Sequence, residues 1–96
     1  MNHRVILSPD AEEDIESAIR WYVNIDVHLG SRFSAETDAA LARVARTPYQ
    51  YRVIDNPVRR ALMNRFPYAI YFTLRPAEIF VISVPHQRRL SRWNTP

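Results

Sequence analysis

The apolar residues of this chain change their period at Pro48, and that change limits what the chain can fold into. Before it they recur three and four residues apart, the spacing of amphipathic helices. After it they alternate or run together, as in strands. Ninety-six residues make one core and not two, so helices and strands must share it. The prediction is a single domain over residues 1–96, a two-layer α+β fold. An N-terminal strand leads into an antiparallel αα-hairpin, which packs on a mainly antiparallel sheet of four or five strands.

The helical half is the more legible. His3 to Leu7 is a short apolar run and reads as the first strand. Ser8 is a good N-cap, and Pro9 sits where its missing N–H costs nothing. Ala11, Ile15, Ala18, Tyr22 and Ile25 follow at four-three-four-three spacing, with Ile19 widening the stripe, so a helix is expected from about residue 9 to 25. Asp10, Glu12, Glu13 and Asp14 crowd its first turns, where the helix dipole favours anions. On an exposed helix start they read as solvated charge and not as a metal or acid–base site. Asp26 or a neighbour turns the chain into a second helix, which would bury Phe33, Thr37, Ala40, Leu41 and Val44. The lone Gly30 falls near its start, where it permits close approach to the first helix. Thr47-Pro48 ends that helix, because the residue before proline avoids helical geometry.

In the second half, Tyr49 to Ile54 is a weak strand closed by Asp55-Asn56-Pro57. Val58 to Arg65 and Ala69 to Leu74 read as strands, and Arg75 to Glu78 as a hairpin turn. Glu78 to Val84 is the most apolar strand, with apolar residues on both faces, and is expected at the centre of the sheet.

The charge is divided along the chain. Residues 1–38 hold eight acids against three arginines, a net of −5, and residues 39–96 hold ten arginines against two acids, a net of +8. All thirteen basic residues are arginine, whose planar fork of donors suits phosphate and carboxylate. A basic half points to a phosphate-bearing partner or an acidic protein. Cysteine is absent, which fits a reducing compartment. No run approaches the roughly 20 apolar residues of a membrane span, and no signal-peptide pattern opens the chain. The expectation is a cytoplasmic protein without membrane association.

Arg59, Arg60, Arg65, Arg88, Arg89 and Arg92 are the candidate target- or phosphate-binding residues, on strand ends and in a C-terminal segment. They would form one cationic surface if the strands bearing them pair closely. Read singly, each is ordinary solubilising charge. His86 is the one candidate proton-transfer group, just past the last strand. Two following arginines would keep it neutral, as a base requires. RNA cleavage also needs an acid for the leaving oxygen, which arginine supplies poorly, so His86 could equally well serve only to bond backbone. His3 and His28 have no metal-ligand spacing, so no metal or other cofactor is expected. Tyr68, Tyr71 and Phe72 alternate as core-filling residues do.

An ordered set of short blocks resembles the RelE/ParE family of bacterial toxins. In the first half these are Ser8-Pro9-x-Ala11, Trp21-Tyr22, Leu29-Gly30-x-Arg32-Phe33 and Thr47-Pro48. In the second they are Val58-Arg59-Arg60-Ala61-Leu62, Arg65-Phe66-Pro67-Tyr68-Ala69-Ile70-Tyr71-Phe72 and Val84-x-His86-x-x-Arg89. The resemblance implies the toxin of a type II toxin–antitoxin system, bound by a cognate antitoxin in a hetero-oligomer. The Phe-Pro-Tyr block and the hairpin signature are similar to the ParE-like branch, whose members poison DNA gyrase. RelE-like members instead cut messenger RNA on the ribosome, and for such a member His86 would be the catalytic base. The chain has no lysine for RelE-type roles and no tyrosine after His86. His28 and Leu90-Ser91 depart from the family pattern, where many relatives carry glycine and Asp-Pro. A non-toxic interaction domain of the same fold is the remaining alternative.

Overall fold

The computed structural model describes residues 3–88. Strand β1 (Arg4–Leu7) leads into helix α1 (Pro9–Ile25), and helix α2 (Val27–Arg46) returns antiparallel to it. A short 3-10 turn at Pro48–Gln50 precedes strands β2 (Arg52–Asp55), β3 (Val58–Leu62), β4 (Ala69–Leu74) and β5 (Glu78–Ser83). The strands lie in the order β1-β5-β4-β3-β2. All neighbours are antiparallel except β1 and β5, which run parallel with Val5 opposite Ile79 and Leu7 opposite Val81. This is the predicted hairpin on a mainly antiparallel sheet. Among the described residues no helix is long and apolar enough to cross a membrane.

Local chemistry explains the helix ends. Ser8 Oγ accepts the Ala11 N–H at 2.9 Å and donates to the Ile82 carbonyl at 2.7 Å, so one buried hydroxyl caps α1 and ties it to β5. Asp26 is the only residue between the helices. Its N–H donates to the Tyr22 carbonyl, ending α1, and its carboxylate accepts the His28 N–H at 2.8 Å, starting α2. Gly30 then lets the helices close. A Cβ there would lie 2.4 Å from Val23 Cγ2. Asp14 reaches further, accepting the Val84 N–H at 2.8 Å where β5 ends. The acidic start of α1 is therefore not all solvated charge, since this carboxylate holds the sheet to the helix.

The core lies between the hairpin and one face of the sheet. Ala11, Ala18, Phe33, Ala40 and Val44 meet Ala61, Ile70, Phe72, Ile79 and Val81, all almost fully buried. Its densest part is aromatic. Phe33 stacks on Tyr22 at 5.3 Å and meets Phe66 and Tyr68 edge-on at 5.2 and 4.9 Å. The Phe66-Pro67-Tyr68 block thus docks the β3–β4 loop onto the hairpin. A smaller cluster of Val58, Ala69 and Tyr71, with Ile54 and Ile82, occupies the opposite face.

Several expectations need correction. The middle strand is β4, whose first four residues are all buried. β5 is flanked on both edges but lies second from one side, with Phe80 and Ile82 only partly covered. An apolar count reports how much of a strand is covered but not its place in the order, and β1 takes the edge beside β5. Ile25 continues the helical spacing yet is 61% exposed, at the last position of α1 before the turn at Asp26. Tyr49 and Gln50 are in the 3-10 turn and not in a strand. The third strand stops at Leu62, short of Arg65. Arg65 has a φ of 70°, a left-handed conformation that costs a non-glycine residue roughly 1–2 kcal/mol. Hydrogen bonds from Met63 N–H to the Tyr68 carbonyl and from Tyr68 N–H to the Phe66 carbonyl hold the loop in that shape.

Candidate functional site

Alternation along a strand sends neighbouring side chains to opposite faces, so the Arg59-Arg60 doublet is split. Arg59 lies in the row that faces the hairpin, opposite Phe72 on β4. Its guanidinium donates to the carbonyls of Tyr51 at 2.8 Å and Tyr49 at 3.3 Å, and lies 5.6 Å from the Tyr49 ring centroid. It braces the chain entering β2. Arg60 projects from the other face, directly across from Arg52 on β2 and Tyr71 on β4. Two like charges at facing positions disfavour each other, so this pair is a cationic spot with no internal gain.

Arg65 and Arg88 belong to a third place. The loop before β4 pairs with the segment after β5, through a bridge between Tyr68 and His86 and a hydrogen bond from Gln87 N–H to the Pro67 carbonyl. Both arginines are exposed near this junction. The β3 strand that bears the doublet pairs with β2 and β4 and not with β5. Arg59 and Arg60 thus point to opposite faces of β3, while Arg65 and Arg88 lie by the junction of the two loops. Arg89 and Arg92 lie outside the described residues.

His86 packs edge-on to Tyr68 at 5.1 Å, and its Nδ1 accepts the Arg88 backbone N–H at 2.9 Å. With Nδ1 used as acceptor, the neutral ring carries its proton on Nε2. It then offers a donor, not a second lone pair. Trp21, Tyr22, Tyr68 and His86 line a cavity of about 220 Å³ there. Trp21 is 65% exposed and Val27 61%, so with Ile25 the turn of the hairpin presents large apolar side chains to solvent. A second cavity of about 380 Å³ lies between α2 and the β3–β4 loop, lined by Leu29, Arg32, Ala35, Glu36, Arg65 and Phe66. The Tyr22–Phe33–Phe66–Tyr68 aromatic cluster contributes residues to both cavities. One end of the molecule thus combines exposed apolar groups, three arginines and both cavities.

The sequence matches the family of ParE toxins of type II toxin–antitoxin systems (parDE) over residues 5–91. The chain belongs to the ParE toxin family. Its fold agrees with that assignment. A solved structure of the chromosomal ParDE toxin–antitoxin system from P. aeruginosa superposes with a TM-score of 0.77 at 14% identity, covering 88% of this chain and 95% of that one. No curated protein matches the chain significantly.

For a ParE-family chain, the residues that reading by charge overlooked are Arg32 and Asp14. Arg32 sits in the acidic half and was not grouped with the later arginines. The spacing Leu29, Arg32, Glu36 does place all three on one helix face, and that was the available signal. Nothing in the local pattern marks Asp14, whose partner Val84 is seventy residues away.

Proposed function

We propose that this ParE-family chain is a cytoplasmic toxin that inhibits DNA gyrase and is held inactive by a cognate antitoxin in a hetero-oligomer. The match to ParE toxins over residues 5–91 is the observation that carries the reading. Two features of the site support it over messenger RNA cleavage. His86 uses Nδ1 to hold the Arg88 backbone, which leaves the neutral ring poorly suited to act as a base. Arg59, the first arginine of the doublet, gives its Nη1 donors to the Tyr49 and Tyr51 carbonyls, so fewer of its donors remain for phosphate. Exposed Trp21, Ile25 and Val27 supply the apolar surface that an amphipathic antitoxin segment would cover.

The test is supercoiling by purified DNA gyrase in the presence of the purified chain. Inhibition is expected, and it should persist in His86→Ala. Undiminished supercoiling at excess protein would overturn the reading. Ribosome-dependent cleavage of messenger RNA that is lost in His86→Ala would replace it with the ribonuclease reading.

A further inference from the structure

The cavity between α2 and the β3–β4 loop has an unusual balance of groups. Leu29, Ala35 and Phe66 give it an apolar lining, while Arg32 and Arg65 bring guanidinium groups from two separate elements. Its volume, about 380 Å³, suits one or two side chains and is small for a polymer. Glu36 shares the cavity, yet neither arginine forms an ion pair with it, and the described ion pairs of the chain lie elsewhere. Arg65 is carried on left-handed backbone that its loop hydrogen bonds maintain. The local charge is therefore a net of one cation, on guanidinium groups that form no ion pair among the described residues.

We infer that this cavity receives an acidic side chain, Asp or Glu with an adjacent apolar residue, from a segment of a protein partner. The carboxylate takes the forked donors of Arg32 and Arg65, and the apolar neighbour lies against Leu29, Ala35 and Phe66. Charge complementarity selects this occupant over nucleic acid. Glu36 opposes a run of phosphates, but it tolerates one carboxylate placed between two arginines. The inference rests on the proposed function for the partner's identity, the antitoxin, and on the cavity alone for its chemistry.

The experiment is an NMR titration of the full chain with N-acetyl-Leu-Glu-amide, a probe bearing one carboxylate and one apolar side chain. Saturable shifts are expected at Leu29, Ala35 and Phe66. The neutral N-acetyl-Leu-Gln-amide should bind about fivefold to tenfold more weakly, and Arg32→Gln and Arg65→Gln should each weaken the acidic probe by a similar factor. Arg65→Gly, which suits the left-handed backbone, should reproduce the loss without disturbing the loop. Glu36→Gln should strengthen binding about twofold. Equal affinity for the two probes, shifts indifferent to the arginine variants, or tighter binding of inorganic phosphate or a short oligonucleotide at the same residues would overturn the inference. A chain that inhibits gyrase but ignores the acidic probe refutes the cavity inference alone. A chain that binds the probe without inhibiting gyrase upholds it and refutes the gyrase reading.

Discussion

Arg59 and Arg65 lie six residues apart in one stretch, and the structure uses them in opposite ways. Arg59 comes off a regular strand and gives its Nη1 donors to the Tyr49 and Tyr51 carbonyls. Arg65 comes off a loop held in left-handed geometry, lines a cavity and forms no ion pair among the described residues. The first region is tied to its own chain, and the second is the one we propose receives a partner. Formal charge does not distinguish the two. The deciding quantity is whether the chain supplies the partner, since donors met internally contribute to stability and unmet donors at a cavity contribute to recognition.

The acceptors and hydroxyl at the helix starts belong with Arg59. Ser8, Asp14 and Asp26 all bond backbone groups. The turn of the hairpin and the β3–β4 loop belong with Arg65, and there apolar side chains and arginines face solvent together. Between them, Phe33 is packed against Tyr22, Phe66 and Tyr68 and holds the second region on the first.

This contrast orders the expected effects. Phe33→Ala should cost about 3–5 kcal/mol in urea unfolding and loosen both cavities, because it removes the ring that docks the loop. Arg59→Ala should cost about 1–2 kcal/mol by the same measurement, since two carbonyls lose a charged donor. Asp14→Ala should cost about 1 kcal/mol and speed amide exchange at Val84, whose N–H it now accepts. Arg65→Gly should go the other way, raising stability by up to about 1 kcal/mol through relief of the left-handed strain. A loss of stability in Arg65→Gly equal to that in Arg59→Ala would erase the distinction between the two arginines.

Much of this architecture was legible in the sequence because it depends on neighbours in the chain. Ser8-Pro9 starts α1 and Thr47-Pro48 ends α2, and the stripe through Phe33, Thr37, Ala40 and Val44 is buried as its spacing requires. What depended on distant pairing was not legible. The order of strands turns on β1 lying parallel to β5, and the roles of Asp14 and Arg59 turn on which backbone groups come within reach. Arg65 and His86 do lie at the exposed end, but Arg32 was hidden by the acidity of its surroundings, and alternation separated Arg59 from Arg60.

The most direct test of the contrast is side-chain NMR of the arginine guanidinium groups in the free chain. The structure predicts slow hydrogen exchange and restricted rotation for Arg59, with fast exchange and free rotation for Arg32 and Arg65. Equal exchange and rotation at Arg59 and Arg65 would contradict the account.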